Sequence, residues 1–373
     1  MSFLIISHVV HKNSDGKLFA YGPYVREMNL WLKYTDTVAI VSPTVNQKAS
    51  EINLSYSHKN IKHHRIPNIQ FTSFGSSILS IIKLPYIIFM LFKACLKADH
   101  IHLRCPGNIG LLGCLVQIFF PSKAKTAKYA GNWDPKANQP LSYRLQKLIL
   151  SNTFLTKNMK VLVYGDWGKQ SKNIAPFFTA SYSEVEKEHD VDKNLKSHVK
   201  LLFVGTLSKG KRPLLTVQVL EDLLRQGFKA SLGVYGDGEE RDQLETYIKT
   251  KDLSEDVILY GNRDKETIKE AFKQSHFLIF ISKSEGWPKV VAEAMFWKCL
   301  PISSSVSCIP EMLDHGNRGS IVQPKLQNIV DEILFYIRNE SIYKTKVNVA
   351  YDWSREFTLE KFDDEIKKLI IEN

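Results

Sequence analysis

Hydrophobic and polar positions along the chain repeat with the period of strands in short runs and with the period of helices in longer stretches. Short apolar or alternating runs predict strands at residues 3–9, 37–41, 61–66, 99–107, 160–164, 199–204, 230–235, 257–261 and 277–281. Most of these runs end in a turn with glycine or proline and lead into a helical stretch. This alternation predicts an α/β fold of two Rossmann-like domains with parallel sheets, with the domain boundary near residue 195.

Two segments of the first half are much more apolar than the rest. Lys83, Pro85 and Lys93 interrupt the segment at 71–96, and the segment at 109–120 is short, so neither is predicted to span a membrane. Lysines mixed with aromatic residues at 83–97 suit an interfacial helix. A core helix of the first domain is the other interpretation, and both stay open.

Charge is distributed unevenly over the 373 residues. Residues 1–195 hold 24 Lys and Arg against 12 Asp and Glu, whereas the rest hold 26 against 27, so the net charge of +11 lies in the first half. This asymmetry predicts an anionic partner for that half, either a membrane surface or a phosphate-bearing acceptor. No nucleic-acid recognition motif is present, and no nucleic acid is expected as a partner.

The five cysteines are odd in number and lack the Cys-x-x-Cys spacing. This pattern indicates neither a disulfide framework nor a zinc site and suits a reducing cytosol. The first residues are typical of a strand rather than of a signal peptide. We therefore expect a cytoplasmic protein that is peripheral on the inner face of the plasma membrane.

The stretch from Ser282 to Glu293 carries the most informative chemistry. It follows the apolar run at 277–281, is broken by Gly286 and Pro288, and continues as a predicted helix. Glu285 therefore lies in the turn after a strand, where ligands bind in open α/β sheets. Glu293 lies in the first turns of the helix, whose N-terminus favours a diphosphate. By spacing alone, a solvated Glu285 and a helix-capping Glu293 remain equally open.

Three further segments follow predicted strands. Gly205 and the basic residues Lys211 and Arg212 precede a helix and form either a phosphate cradle or a solvated turn. Gly236 either packs a helix against a strand or contacts a ligand, and packing is the more common role. Gly22 lies in a predicted strand–loop–helix junction, where glycine lets backbone approach a ligand closely.

Alternation in the run at 99–107 places His102 and Arg104 on one face of the strand near its carboxyl end. His102 is a candidate either for ligand contact or for a structural role. Asn132 and Asp134 lie in a polar loop at the same predicted edge and, with Arg104, are candidates to contact an acceptor.

The second half resembles the donor-site signature of glycosyltransferase family 4. The resemblance is carried by the Glu285-Gly-x-Pro turn, by Glu293-Ala-Met, by Leu300-Pro301-Ile302 and by Ile309-Pro310-Glu311. It implies the GT-B fold, with the two domains facing a central cleft and the chain's end, 353–373, packing back on the first domain. It also implies a retaining transferase. Two positions depart from the family pattern: Thr206 stands where Arg is usual, and Tyr21 precedes Gly22 where a second glycine is usual.

The resemblance also implies roles for individual residues. Glu293 would hold the ribose hydroxyls, Glu285 the hydroxyls of the transferred sugar, and Lys211 the leaving diphosphate, whereas His102 occupies the place of a cleft histidine. The expected catalytic residues are thus His102, Lys211 and Glu285. The expected donor-binding residues are Gly22, Gly205, Thr206, Lys211, Arg212, Gly236, Asn262, Arg263, Glu285, Gly286, Trp287, Pro288, Lys289, Val290 and Glu293.

The implied partners are a nucleotide-sugar donor and a saccharide acceptor. The basic and apolar first half favours a lipid-linked saccharide of bacterial surface polysaccharide or lipopolysaccharide synthesis, although a soluble acceptor remains open. Apart from Asp190-Val191-Asp192, in the acidic patch before the predicted boundary, no Asp-x-Asp motif is present, so neither a metal nor another cofactor is expected. The alternatives are a sugar-nucleotide epimerase on the same fold and a non-catalytic nucleotide-sugar binding protein.

Overall fold

The computed structural model describes residues 1–14, 16–50, 52–188, 193–195 and 198–371. Their contacts divide the chain into two units. The first unit comprises Met1–Phe178 and Phe362–Asn373, and the second comprises Thr179–Lys361.

This division differs from the predicted boundary between residues 195 and 196. The residues that follow Thr179 cluster with the second unit because their side chains pack there. Leu195 is buried in the core of that unit, and Lys193 donates a hydrogen bond to the Phe272 carbonyl at 2.8 Å. Residues 196–197, on the far side of the predicted boundary, lie outside the described residues.

A ten-stranded sheet forms the centre of the first unit, with strands in the order β10-β9-β8-β7-β1-β4-β2-β3-β5 and with β6 also paired to β4. The strands are β1 (Ser2–Ile6), β2 (His11–Ser14), β3 (Lys17–Tyr21), β4 (Thr37–Val45), β5 (Asn53–Ser55), β6 (Ile61–Ile66), β7 (His100–Cys105), β8 (Ala124–Tyr129), β9 (Met159–Val163) and β10 (Ile174–Pro176). The helices are α1 (Gly22–Leu32), α2 (Phe74–Lys97), α3 (Asn108–Val116) and α4 (Leu141–Ser151), with a 3-10 turn at Gln117–Phe119.

Most of this sheet is parallel, and β1 lies between β4 and β7. The exception is β3, which pairs antiparallel with β2 and with β5. The strands β2 and β3 occupy the segment that was predicted to be a loop, and α1 begins directly after them at Gly22. The predicted loop before α1 is therefore a short hairpin.

The apolar helix α2 runs without a break through Pro85. One side packs on the sheet and buries Ile87, Leu91 and Cys95. By length and composition α2 is long and apolar enough to cross a membrane, and 28% of its most apolar window is buried. One side of α2 thus belongs to the core of the first unit, and most of the helix surface is exposed.

The second unit is built on a six-stranded parallel sheet in the order β13-β12-β11-β14-β15-β16. The strands are β11 (Val199–Val204), β12 (Ala230–Tyr235), β13 (Val257–Gly261), β14 (Phe277–Phe280), β15 (Leu300–Ser303) and β16 (Ser320–Ile321). The helices are α5 (Pro213–Arg225), α6 (Arg241–Thr250), α7 (Lys265–Gln274), α8 (Lys289–Phe296), α9 (Ile309–Met312), α10 (Leu326–Arg338) and α11 (Glu340–Ser354), with 3-10 turns at Glu184–Glu188 and Asp314–Gly316. The strand order reverses between β11 and β14, which creates a topological switch point.

The last helix, α12 (Leu359–Ile371), begins in the second unit and ends in the first. Within the first unit, the ring of Phe362 lies 5.4 Å from that of Phe177, and Lys33 pairs with Asp363 at 2.8 Å. The end of the helix is thus held by the first unit through both apolar and charged contacts.

Candidate functional site

The turns after neighbouring strands of the second unit are joined by backbone hydrogen bonds at the carboxyl edge of its sheet. The Gly205 amide, after β11, donates to the Tyr235 carbonyl of β12 at 2.9 Å. The Lys283 amide, after β14, donates to the Gly210 carbonyl in the basic loop at 2.9 Å. These bonds bring the predicted basic loop and the predicted Glu285 turn together at the switch point, where ligands bind in such sheets.

Gly236 makes the closest backbone approach at this edge. Its φ is +135°, and a Cβ built there would lie 1.9 Å from the Gly205 carbonyl oxygen. No side chain fits in that space, so glycine is required for the packing of two turns. This placement favours the packing role for Gly236 over direct ligand contact.

Lys211 and Glu285 form an ion pair at the switch point. The Ser282 hydroxyl also donates to the same Glu285 oxygen, and the Lys211 ammonium lies 5.0 Å from the centre of the Phe280 ring. The Lys211 side chain is 26% exposed and that of Glu285 is 13% exposed. The pair is therefore partly shielded from water but still accessible to a ligand.

Arg212 lies at the start of α5 in the left-handed backbone conformation, with φ of 52°. It lines a cavity of about 300 Å³ that Lys211 does not line. The other lining residues are Ser282, Lys283, Ser304, Ser305, Val306, Val322, Gln323 and Pro324. Thr206, the departure from the family pattern, is exposed in the same loop. The Arg212 guanidinium donates a hydrogen bond to the Ile281 carbonyl at 3.4 Å.

Glu293 lies in the second turn of α8 and is half-buried. Its carboxylate accepts a hydrogen bond from the Ser181 hydroxyl, and both residues line one crevice together with Lys289. Burial raises the pKa of Tyr182, and the neighbouring Glu293 carboxylate raises it further. The sequence analysis missed Ser181, since nothing in its surroundings distinguishes it from other serines.

The turn between Glu285 and α8 is anchored through its backbone. The Ser307 hydroxyl donates to the Gly286 carbonyl at 2.8 Å, and the Lys289 amide donates to the Trp287 carbonyl at 2.8 Å. Pro288 is buried and Val290, like the rest of the predicted turn, is half-buried. The remaining predicted donor residues, Asn262 and Arg263, are exposed in the turn after β13.

The predicted role of His102 as a ligand-contacting histidine is wrong. His102 is fully buried in β7, with Nδ1 2.9 Å from the Thr126 hydroxyl and its ring 4.6 Å from that of Trp31. Burial lowers the pKa of His102, and Arg104 lowers it further, so the ring stays neutral. Because β7 is covered by packed side chains, a ligand does not reach this histidine.

Arg104 is half-buried and already has a protein partner, and its predicted acceptor contact stays a prediction. Its guanidinium donates to the Glu27 carboxylate at 2.6 Å, and Lys128 lies 3.2 Å from the same oxygen. Although burial opposes the shift, Arg104 and Lys128 lower the pKa of Glu27 to about 2. The guanidinium is thus part of a buried ion network that links α1 to β7 and β8.

Gly22 is buried at the start of α1, and its predicted ligand contact stays a prediction. A Cβ at Gly22 would lie 2.9 Å from the Ile52 carbonyl oxygen, to which its own amide donates at 2.8 Å. Asn132 and Asp134 are half-buried and stabilise their own loop: the Asn132 side chain accepts from the Asp134 amide at 2.9 Å. Their proposed contact with an acceptor stays a prediction.

His8 is a candidate that the sequence analysis missed. His8 follows the central strand β1 and is exposed. One side of its ring packs closely on Gly107, where an added Cβ would lie 2.8 Å from the His8 Nδ1 atom. This partial burial lowers the pKa of His8, and Arg104 lowers it further. The available signal was its position, since a polar residue just after a central parallel strand lies at the ligand-binding edge.

Over the described ranges, no group of three or more His, Cys, Asp or Glu side chains is placed to hold a metal ion. The five cysteines are buried free thiols.

Comparison with known proteins finds that residues 184–353 match the family model described as glycosyl transferases group 1. The chain is 23% identical over 190 residues to N-acetyl-alpha-D-glucosaminyl L-malate synthase of Bacillus anthracis, an alignment that covers 51% of this chain and 47% of that protein. It is 24% identical over 190 residues to the GalNAc-alpha-(1->4)-GalNAc-alpha-(1->3)-diNAcBac-PP-undecaprenol alpha-1,4-N-acetyl-D-galactosaminyltransferase of Campylobacter jejuni, with 50% and 51% covered. The chain therefore spans about half the length of these curated relatives.

The structure is similar over its whole length to that of Alr3699/HepE from Anabaena in complex with UDP. The TM-score is 0.69 at 13% identity, covering 100% of this chain and 99% of that chain. This likeness shows the fold, which is GT-B, as the sequence predicted. Together the family match and the relatives support a glycosyltransferase.

Proposed function

We propose that the chain is a retaining glycosyltransferase that takes a sugar from a nucleotide-sugar donor bound by the second unit. The observation that carries this proposal is the placement of the Lys211–Glu285 pair and the N-terminus of α8 at the switch point of one parallel sheet. A cation and a helix N-terminus suit a diphosphate, and carboxylates suit sugar hydroxyls.

In this mechanism Glu293 exchanges its hydrogen bond with Ser181 for the ribose hydroxyls of the donor. Glu285 accepts from hydroxyls of the transferred sugar, while amides of the turn at 286–289 contact the sugar and the phosphates. Lys211 then faces the diphosphate, on which negative charge grows as the bond to the sugar breaks. A fixed cation at that position stabilises the transition state more than the ground state.

The transfer step breaks the bond between the anomeric carbon and the diphosphate oxygen and forms a bond from that carbon to an acceptor hydroxyl. In the retaining form that we propose, the hydroxyl attacks from the face that the diphosphate leaves. The hydroxyl proton passes to the departing phosphate oxygen, which balances the step without an enzyme nucleophile. Lys211 supplies positive charge at the diphosphate, and the proposal includes no metal ion.

The acceptor in this proposal is a saccharide linked to a lipid, on the cytoplasmic face of an anionic membrane, and the first unit binds it. The first unit exposes many large apolar side chains along α2. Contiguous exposed apolar patches mark sites of interaction with a membrane or a partner protein, whereas isolated apolar surface residues do not. On α2, Ile82 is 69% and Phe89 is 61% exposed. Exposed apolar side chains also occur on α4 and after it, where Leu141, Leu148 and Phe154 are each about 70% exposed or more. The name of the Campylobacter relative also describes an undecaprenol-diphosphate-linked saccharide acceptor.

A thermal-shift panel of nucleotides and nucleotide sugars tests the donor site. A ligand that binds the folded chain raises the melting temperature by mass action. We expect one nucleotide sugar to stabilise the wild type and Glu255→Gln, an exposed glutamate of the same unit, but not Glu293→Gln. If no nucleotide sugar stabilises the wild type, or if Glu293→Gln responds as the wild type does, the proposed donor site is wrong. Turnover of the donor without an acceptor would instead indicate an epimerase, and binding without turnover a binding protein.

A further inference from the structure

A basic pocket lies between α2 and the edge of the first sheet, away from the residues assigned above. Its volume is about 390 Å³, and its floor includes Met90 and Ala94 of α2. Four basic side chains line it: Lys62 and His64 from β6, and Lys93 and Lys97 from α2. We call this site the basic pocket.

The charges of the basic pocket converge without being neutralised. Burial lowers the pKa of His64, and Lys62, Lys97 and Lys93 lower it further, which shows that the three ammonium groups act on one point. In the part of the chain that the structure describes, none of the three lysines forms an ion pair with a carboxylate.

Two carboxylates lie near the pocket but have other partners. Asp36 pairs with the N-terminal ammonium, and Asp99 accepts a hydrogen bond from the Ser2 amide at 2.7 Å. The pocket therefore keeps an excess of positive charge, and a bound anion would relieve the mutual repulsion of its three ammonium groups.

The basic pocket borders the exposed apolar side of α2. Lys93 and Lys97 lie one helical turn apart, and Phe89, Phe92 and Leu96 are exposed on the adjoining side of the same helix. Lysines beside an apolar helix face are the arrangement that places ammonium groups at the level of lipid phosphates while the apolar residues enter the acyl region.

We propose that the basic pocket binds the phosphate of an anionic phospholipid headgroup while the exposed side of α2 enters the bilayer. The inference rests on the proposed membrane partner but not on glycosyl transfer. The pocket has room for one phosphate and its glycerol, whereas a flat basic surface would attract lipids only through their average charge. The apolar floor of Met90 and Ala94 suits the carbon atoms of the headgroup.

Binding to vesicles tests this proposal on the full-length chain. We compare phosphatidylcholine vesicles with phosphatidylcholine vesicles that contain phosphatidylglycerol, using the wild type, Lys62→Gln/Lys97→Gln and the charge-matched control Lys169→Gln/Lys172→Gln. The control lysines are exposed in the same unit and lie outside the pocket. Each lysine near an anionic surface contributes about fivefold to affinity, so the pocket variant should bind about 25-fold more weakly and the control should change much less.

Two further measurements make the assignment specific. Short-chain phosphatidylglycerol below its micelle concentration should raise the pKa of His64, followed by NMR, because a bound phosphate offsets the repulsion from the three lysines. Equal loss of vesicle binding in the pocket variant and the control would overturn the pocket in favour of a diffuse charge effect. An equal response of His64 to inorganic phosphate would overturn the lipid in favour of a free-phosphate site.

The donor thermal shift, measured on the same variants, keeps the two proposals apart. We expect the pocket variant to keep the wild-type response to the nucleotide sugar. Loss of vesicle binding with an intact donor response supports the basic pocket alone, and an absent donor response in the wild type contradicts only the proposed transferase function.

Discussion

Replacing Lys211 by methionine removes the cation at the switch point while keeping a side chain of similar length. In the proposed mechanism this cation faces the diphosphate as negative charge grows on it. Lys211 is 26% exposed, so an effective dielectric constant of about 20 is appropriate, at which two unit charges about 4 Å apart interact by about 4 kcal/mol. Glu285 offsets part of this attraction, and a net loss of about 3 kcal/mol corresponds to a reduction of kcat by about 100-fold.

The assay measures kcat and KM for Lys211→Met, for Lys211→Arg and for the control Lys209→Met. Lys209 is exposed in the same loop and differs from Lys211 in having no carboxylate partner among the described residues. We expect Lys211→Arg to recover part of the rate and Lys209→Met to stay within about threefold of the wild type, a change of well under 1 kcal/mol. The unfolding free energy should fall by only about 1 kcal/mol in Lys211→Met, since the ion pair is partly exposed.

A kcat of Lys211→Met within threefold of the wild type would refute the assignment of Lys211 to the diphosphate. An equal loss of kcat in Lys209→Met would also refute it, because the effect would then reflect the charge of the whole loop. A rise in KM with unchanged kcat would place Lys211 in ground-state binding rather than in transition-state stabilisation.

Three other variants test other parts of the account. Gly236→Ala should lower the unfolding free energy by about 3 kcal/mol, because the added Cβ overlaps the Gly205 carbonyl. The control Gly227→Ala has a positive φ but open space around the added Cβ, and it should lower the unfolding free energy by about 1 kcal/mol. Equal losses of the two variants in urea unfolding would contradict this reasoning. His8 lies in the turn after the central strand of the first unit, which in this proposal binds the acceptor, so His8→Ala should raise the KM for the acceptor by up to about tenfold through a lost hydrogen bond, and an unchanged KM would remove His8 from the candidates for acceptor contact. Burial lowers the pKa of His100 to about 4, below its unfolded value near 6.5. The contribution of His100 to the unfolding free energy is therefore complete above about pH 6.5 and is lost as the pH falls towards 4, by up to about 1.4 kcal/mol per pH unit. In urea unfolding, His100→Gln should lose less unfolding free energy than the wild type over the same pH range.

Four of the six strands of the second unit, β11 to β14, were predicted almost residue for residue, and the reason is physical. A central parallel strand is buried on both faces, so β11 and β14 appear in the sequence as continuous apolar runs bounded by turn residues. The hairpin of β2 and β3 gives a weaker signal because its strands are short and partly polar, with only one fully buried residue in each. Its stability comes from pairing with β4 and β5, which local pattern does not reveal.

The error at His102 has a physical cause. Strand alternation correctly identifies which side chains lie on the same face, but it does not tell whether that face is covered. Here Trp31 of α1 covers His102, and Glu27 of the same helix neutralises Arg104. Contacts between residues so distant in sequence depend on tertiary packing, which the sequence pattern of one strand does not contain.

The candidate donor site was predictable in part for the opposite reason. Glu285 and Glu293 lie in one strand–turn–helix segment, so their spacing and local structure follow from the sequence. Their partners Lys211 and Ser181 come from other segments of the chain, and only the folded sheet brings them together. Lys211 was found through a second local motif, whereas Ser181 belongs to no motif.

Acceptor-dependent release of nucleoside diphosphate tests the central claim most directly. The wild type and Glu285→Gln are incubated with the nucleotide sugar identified in the thermal-shift panel, with and without a lipid-linked saccharide extract, and the anomeric configuration of the product is read by NMR. The account predicts release by the wild type only when the acceptor is present, a product with the configuration of the donor, and a loss of at least about 100-fold in Glu285→Gln. Donor binding without acceptor-dependent release, or equal rates in the wild type and Glu285→Gln, would contradict it.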